Sequence, residues 1–414
     1  MSDESPPAPT GGAPKRRGKA ARKHTVGRVV LITAVVLALV TGLSTVYFVR
    51  HLNGNIETGS LDALGVDRPE KVYTGNGEPL NILVMGDDSR TGEGNAIDKE
   101  SGGGSDTTIL VHLSADRSRA YAVSIPRDSI VDRPACNDGQ SPAASDVMWN
   151  AAFSVGKEFC TADQFEQMTG IYLDHYVVVD FNGFGDMVDA VGGVPVCVPE
   201  DIKDPEHAIF VPKGDPSVLS GDQALDYVRA RYVGDLIQQN DISRIRRQQE
   251  FIGALVREVK SAGTLTRLDK VVRFLDAATK SLRTDEELGS VTRIGKIALQ
   301  LQNIGLDKVQ FVTLPTEYYS SDSEFRGKVF WKPQADTIWR LLNEDRELPA
   351  KLIDDTSVSA EGPPGSSETP SPTAGSETPT DTASPTETPT ETPSETPSET
   401  ATTAPEDRIF GVCA

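Results

Sequence analysis

The chain has 414 residues, 37% of them hydrophobic, which is enough apolar material for a sizeable core. Its 61 acidic against 41 basic side chains leave a formal charge of −20, which argues against a nucleic-acid partner though not against anionic substrates. Four cysteines, Cys136, Cys160, Cys197 and Cys413, show neither CxxC nor Cys/His ligand spacing, which argues against a zinc site.

The charge is spread unevenly. Residues 1–28 are polar and basic, with Lys15, Arg16, Arg17, Lys19, Arg22, Lys23 and Arg28. Residues 29–49 are uncharged and mostly apolar, about the 20 residues a helix needs to cross a bilayer core. The run is too long for the apolar part of a signal peptide and has no small-x-small cleavage site before Arg50, so it is expected to remain as a transmembrane anchor. The basic flank predicts a single-pass protein of the cell membrane, with its N-terminus in the cytoplasm and everything after Arg50 outside. Disulfides are permitted there. Cys136 and Cys160 bracket a loop-like insert whose closure is expected to contribute about 3 kcal/mol. Cys197 is then left with Cys413, a pairing that would return the chain end to the domain.

Residues 50–77 are expected to form a linker and residues 78–350 a globular domain. The apolar run Asn81 to Met85 reads as a buried strand, ending in Gly86, Asp87, Asp88, Ser89 and Arg90. Carboxylates just past the C-terminal end of such a strand lie where open α/β sheets place ligands. A Gly- and Asp-rich loop over 91–104 leads through Ser105 and Asp106 to a second strand at 109–113, and a third at 121–125 ends in Pro126, Arg127 and Asp128. After the cysteine-bracketed insert a helix is expected over 161–169. A strand at 175–180, a helix at 184–191 stopped by Gly192 and Gly193, and a short strand at 194–198 follow. Ser220 and Gln223 form a capping box that opens a short helix.

From Tyr227 the alternation of Val228, Ala230 and Tyr232 predicts a strand that sets Arg229 and Arg231 on one face. A helix follows, with Asp241 at its N-cap and an apolar stripe of Ile245, Ile252, Leu255, Val256 and Val259; Arg244 and Gln248, four apart, share a face. Residues 265–301 are helical in pattern, 309–314 read as a strand and 333–342 as a final helix. The alternation predicts an α/β fold with a mixed central sheet covered by helices on both faces. Residues 351–407, almost all Pro, Ser, Thr, Glu, Ala and Gly, cannot bury enough apolar surface to fold and are expected to be a disordered tail, followed by a short apolar piece, 408–414.

The strand margins and the arginine stretch together carry Asp88, Arg90, Asp106, Arg127, Asp128, Arg229, Arg231, Asp241 and Arg244. Carboxylates alone would suggest a metal and arginines alone an anion; both together suggest a metal-bridged polyphosphate. Mg²⁺ takes one or two protein carboxylates and completes its shell with water and phosphate oxygens, which suits Asp88 and Asp106; Mn²⁺ is the alternative ion. Arg127, Arg229, Arg231 and Arg244 would neutralise the remaining phosphate charge, because guanidinium binds phosphate bidentately and stays protonated. For any two of these arginines the competing reading is a solvated charged face.

The series Asn81-Ile-Leu-Val-Met-Gly-Asp-Asp-Ser-Arg90, Ser105-Asp-Thr107, Ser124-Ile-Pro-Arg-Asp128, Asp174-His-Tyr-Val-Val-Val-Asp-Phe181, Ala224-Leu-Asp-Tyr-Val-Arg-Ala-Arg231 and Asp241-Ile-Ser-Arg-Ile-Arg-Arg-Gln-Gln249 closely resembles the LytR-CpsA-Psr family of bacterial cell-wall enzymes. The resemblance covers roughly residues 80–260 with the motifs in the family's order. It implies a phosphotransferase that moves a glycan polymer from a polyprenyl-pyrophosphate carrier onto peptidoglycan through a phosphodiester. By the same motifs, Asp88 and Asp106 resemble the family's magnesium ligands, and Arg90, Arg127, Arg229, Arg231, Arg244 and Gln248 its pyrophosphate contacts. Asp241 would act as a base, orient Arg244 or cap its helix; Asp128 would act in catalysis or only hold Arg127. The chain departs from the pattern where many relatives have a lysine two residues before the position of Asn150, since Met148 and Trp149 stand there, and where residues 233–240 look longer than usual. Hydrolysis of the same pyrophosphate, or lipid-phosphate binding without turnover, are the competing functions.

Overall fold

The structure, a computed structural model, describes residues 23–61, 68–73, 77–87, 105–136, 139–205, 208–230, 240–353 and 357–360, and of the expected site residues it describes Asp106 and Asp241 by their backbone only. The chain falls into two compact units, one ending at His51 and the other beginning at Leu52. In the first, helix α1 (Lys23–Asn55) starts; over Val26–Asn55, 30 residues, it is long and apolar enough to cross a membrane. Its valines and leucines are exposed on every side from Val26 to Val46, with none of them packed into the folded core.

The second unit is built on β1 (Glu57–Gly59), β2 (Leu80–Asp87), β3 (Ser105–Leu113), β4 (Ala120–Ile125), β5 (Ile130–Arg133), β6 (Ala144–Met148), α2 (Ala151–Thr169), β7 (His175–Asp180), α3 (Phe181–Val191), β8 (Val194–Val198), β9 (Ile202–Asp204), β10 (Ile209–Val211) and β11 (Gly214–Leu219). It continues with α4 (Gly221–Arg229), α5 (Asn240–Lys260), α6 (Ala262–Leu265), α7 (Leu268–Ser281), β12 (Leu282–Asp285), α8 (Val291–Ile304), β13 (Val309–Thr313), β14 (Thr316–Tyr318), β15 (Val329–Trp331), α9 (Pro333–Asn343), α10 (Ala350–Ile353) and β16 (Ser357–Ser359). Eight strands form one mixed sheet in the order β1-β12-β7-β2-β3-β4-β13-β16, with β2 parallel to β7 and β4 parallel to β13.

Period-two alternation in β2 sends Leu83 and Met85 to one face and Ile82 and Val84 to the other, and both faces are covered. On the first, α2 and α9 pack Phe153, Phe165 and Trp339 with Trp149 into the main core. On the second, α5 lays Ile252 against Ile109, Ala122 and Phe311, and α8 brings Leu301 and Ile304 against Leu113 and Ala120. A further core joins α3, α4 and α5 to strands β8–β11 around Val194, Tyr227 and Phe251. This is the mixed α/β sheet with helices on both faces that the alternation of elements predicts.

Several boundaries differ from expectation. Residues 50–59 are not linker: α1 runs to Asn55, Leu52 and Ile56 are buried, and β1 joins the sheet beside β12. The cysteine-bracketed insert is not a loop, because β6 and the first half of α2 lie inside it. Cys136 and Cys160 are joined by a disulfide. Cys197 is disulfide-bonded too, while Cys413 lies outside the described residues. The helical pattern at 265–301 is interrupted by β12, which non-local pairing with β7 and β1 holds extended. The folded unit extends past 350, since β16 pairs with β13 and Arg257 donates to the Ala360 carbonyl at 2.8 Å. The remainder of the tail, 361–414, lies outside the described residues.

Candidate functional site

The C-terminal ends of β2, β4, β7 and β13 share one edge of the sheet. Gly86 is the last residue but one of β2, and a Cβ there would lie only 2.8 Å from the Phe181 ring, so the glycine lets that ring lie over the strand end. The guanidinium of Arg229 stacks over Phe181 at 5.0 Å from the ring centroid. Glycine, ring and arginine thus form a stack that carries a cation to the strand ends. Opposite, the β2–β3 register slips by one residue between Gly86↔Thr107 and Asp87↔Ser105, so Asp106 is the extra residue of a β-bulge at this edge. Asp87 faces a different partner: it accepts from Arg283 at 3.3 Å, and Arg283 also binds Glu158 at 3.0 Å.

Arg229 is not on a strand. It is the last residue of α4, and the chain leaves the helix at Ala230 with φ −52° and ψ 126°. The last carbonyls of a helix need donors, and here α5 provides them. Arg247 donates through Nε to the Tyr227 carbonyl at 3.2 Å and through Nη2 to that of Ala230; Gln248 Nε2 donates to the Val228 carbonyl at 3.2 Å. Side chains twenty residues on therefore close α4, with Arg229 at its tip. The α5 end is fixed in turn on the sheet, where Gln249 Nε2 donates to Ser124 Oγ at 2.9 Å and Thr313 Oγ1 at 3.2 Å. Arg244, one turn earlier on the same helix, is only 2% exposed. Burial first, and then the like charge of Arg244, pull the Arg247 guanidinium down to about 10.

Past β4, Arg127 is half-buried and its Nε lies 3.7 Å from Asp128 Oδ2. Asp128 also accepts from Lys328 Nζ at 2.8 Å. The Arg127 carbonyl accepts from Asn150 N at 3.3 Å, and Trp149 N donates to the Ser129 carbonyl at 2.8 Å. Trp149, standing just before Asn150, is fully buried and donates through Nε1 to Thr108 Oγ1 at 3.2 Å.

Among the expected site residues, Arg127, Asp128, Arg229 and Gln248 are held at this edge by the contacts above, and Arg244 is buried on α5 one turn before Arg247. Gln248, expected on phosphate, gives an N–H to the α4 end. Asp241 is not the N-cap, because α5 begins at Asn240 and Asp241 lies inside its first turn. In the stripe, Ile245 is buried but Val256 is 38% exposed. Asp88, Arg90 and Arg231 lie outside the described residues. Pattern reading gives no roles to Arg247, Gln249, Phe181 and Lys328: their types are visible in the sequence, but the distant carbonyls, hydroxyls, guanidinium and carboxylate that they serve are not. Among the described residues, no group of three or more His, Cys, Asp or Glu could hold a metal ion.

A profile of the LytR_cpsA_psr family matches residues 49–347. Over 336 residues the chain is 32% identical to the cell wall biosynthesis protein LcpA of Corynebacterium glutamicum, an alignment covering 74% of this chain and 63% of LcpA. It is 30% identical to the polyisoprenyl-teichoic acid–peptidoglycan teichoic acid transferase TagV of Bacillus subtilis, covering 62% of this chain and 63% of TagV. The alignments thus span just under two thirds of these two relatives' length. The crystallised LytR-Csp2A-Psr enzyme from Actinomyces oris shares the fold, with a TM-score of 0.53 at 15% identity, covering 73% of this chain and 98% of that one.

Proposed function

This chain belongs to the LytR_cpsA_psr family, and we propose that it is a membrane-anchored phosphotransferase that moves a glycopolymer from a polyprenyl-pyrophosphate carrier onto peptidoglycan. The observation that carries this reading is that two different locks bring described arginines to one edge of the sheet. Arg229 is placed by the Phe181 stack and the closure of α4, and Arg127 by Asp128. With Arg244, buried on α5, they offer cations to a diphosphate; Arg90 and Arg231, which the family resemblance also assigns to it, lie outside the described residues. The name of TagV supports transfer from a polyisoprenyl carrier to peptidoglycan, and that of LcpA supports a role in cell wall biosynthesis.

In the reaction an acceptor hydroxyl attacks the phosphorus that bears the glycan. The new P–O bond forms as the bond to the prenyl-phosphate oxygen breaks, and polyprenyl phosphate leaves with that oxygen and the negative charge. The arginines bind the non-bridging and departing oxygens, and rigid donors aimed at developing charge need no reorganisation during the step. Asp128 holds Arg127. Asp241, in the first turn of α5, takes the acceptor's proton. By the family resemblance Asp106, the extra residue of the β3 bulge, and Asp88, which lies outside the described residues, would hold a divalent ion, and two carboxylates are a normal protein share for Mg²⁺. When bound, Mg²⁺ or Mn²⁺ would withdraw charge from the phosphoryl oxygens. The basic residues ahead of the apolar helix support a catalytic unit on the outer face of the cell membrane, where donor and wall meet.

The test uses the full chain in liposomes with a polyprenyl-pyrophosphate-linked saccharide, a glycan-strand acceptor and Mg²⁺. A phosphodiester-linked product is expected, falling at least about a hundredfold in Arg229→Ala and Asp106→Ala. Release of polyprenyl phosphate with the acceptor untouched would replace transfer by hydrolysis. Donor binding with no turnover would leave a binding module.

A further inference from the structure

The geometry points to a second anion site beside the reaction centre, one that takes an acidic sugar of a substrate. It deepens the transferase reading above and rests on it. A cavity of about 310 Å³ lies between the start of α5, the end of β13, the strand β14 and the helices α9 and α10. Arg246 enters it from α5, Lys332 from the residue before α9 and Lys351 from α10. Gln334 and Tyr318 add polar groups to the wall, and Thr313 adds a hydroxyl at the strand end. The three cations are separated by up to 105 positions in the sequence (351 − 246) and meet only through the fold.

Among the described residues, no carboxylate lines the cavity. Glu317 comes to 4.0 Å from Lys332, but Glu317 is exposed and Lys332 partly so, which makes this a weak pair that another anion can displace. The volume lies at the low end of the ligand-pocket range of about 300–1,000 Å³, which fits one sugar with its acidic group rather than an oligosaccharide. Ammonium and guanidinium groups with an amide and a tyrosine ring suit a carboxylate or phosphate on a hydroxylated ring.

The position links the cavity to the reaction. Thr313 pairs in register with Ser124, both hydroxyls accept from Gln249, and Arg127 follows Ser124 by three residues. The cavity therefore opens on the edge that holds Arg127, on the flank away from β2. A sugar bound there belongs either to the polymer carried by the donor or to the acceptor strand.

The experiment measures binding of galacturonate and of glucose 6-phosphate to the full chain in nanodiscs by calorimetry, then turnover with donor and acceptor varied separately. The Lys332→Gln/Lys351→Gln variant is expected to bind both probes about tenfold more weakly, and Lys332→Arg/Lys351→Arg to bind as wild type does. Arg229→Ala is expected to lose donor binding yet keep the probes. A rise in donor KM at unchanged kcat in the Gln variant assigns the sugar to the polymer, and a rise in acceptor KM assigns it to the acceptor. Wild-type chain that binds neither probe, or a folded Gln variant that binds them unchanged or moves neither KM, overturns the site. Hydrolysis without transfer, with probe binding still sensitive to the lysines, would strike the transferase reading and leave the anion site standing.

Discussion

Arg247 and Arg229 divide one job between them across the α4–α5 junction: the first closes α4, and the second is presented by it. Arg247 is completely buried, and removing its hydrogen-bonding groups leaves the Tyr227 and Ala230 carbonyls without those donors. Arg247→Met is therefore expected to lower stability by about 3 kcal/mol and to reduce transfer as α4 loosens. Arg229→Lys keeps a charge but loses the planar fork and the stack on Phe181, so it should leave the melting temperature within about one or two degrees while cutting kcat at least about tenfold. Thermal unfolding beside turnover separates the two; equal loss of stability in both would refute the division of labour. Asp345 offers a test by pH at the far side of the sheet. Burial opposes its ionisation, but hydrogen bonds from His112 and Ala115 N and the charge of Arg119 outweigh burial and hold it below the ordinary carboxylate range. A carboxylate depressed in the folded state stabilises above its unfolded pKa of about 3.9 and loses that contribution as pH falls through the lower folded value. Asp345→Asn should then cost about 1–2 kcal/mol near neutral pH, with the gap to wild type closing as pH falls through the lowered folded value. Unfolding curves from neutral to strongly acidic pH check this, and a gap that stays constant would mean that the charge is not what matters.

At the scale of elements, the Cys136–Cys160 link closes the segment carrying β6 and the front of α2, whose Asn150 and Trp149 backbones hold the Arg127 loop. Cys160→Ser is expected to lower stability by about 3 kcal/mol through the freed loop of 24 residues and to weaken donor binding through that loop, a double readout by denaturant titration and lipid binding. Unchanged donor affinity would uncouple the insert from the site. The elements also show where pattern reading works. β2, β4, β7 and β13 announce themselves because buried central strands are continuous apolar runs. The Arg229 segment misleads because its alternation is only a few residues long, and what ends the helix is a set of α5 donors about twenty residues further on. β12 hides in a helical pattern for the same kind of reason: four residues are held extended by strands and by an Arg283 ion pair distant in sequence. Three-residue edge strands such as β1 and β16 are too short to carry a period at all. The arginines of the site were legible because their chemistry is intrinsic to residue type; the supports that aim them were not, because a support is defined by its partner.

The whole molecule joins a helix long and apolar enough to cross a membrane to a unit with its own core, and the junction can be located by cutting it. Leu52 is 1% exposed, Asn53 Oδ1 accepts from Val291 N at 3.0 Å, Asn55 Nδ2 donates to Asp276 and Thr279, and β1 pairs with β12. These contacts belong to the folded unit, so a chain beginning at Arg50 should unfold at nearly the full-length temperature. One beginning at Ser60 loses the buried Leu52 and Ile56 side chains and an edge strand, and at about 1.5–3 kcal/mol per fully buried side chain it should be less stable by roughly 3–5 kcal/mol. The two truncations also separate folding from function. A polyprenyl donor is confined to the bilayer, and an enzyme anchored in the same sheet of lipid meets it at a high effective concentration. The chain from Arg50 should therefore match the full chain on a water-soluble short-prenyl donor but run at least about tenfold slower on a long-chain donor in vesicles. If it kept pace in vesicles, the span would not be what brings enzyme and donor together, and the surface of the folded unit would have to hold the membrane by itself.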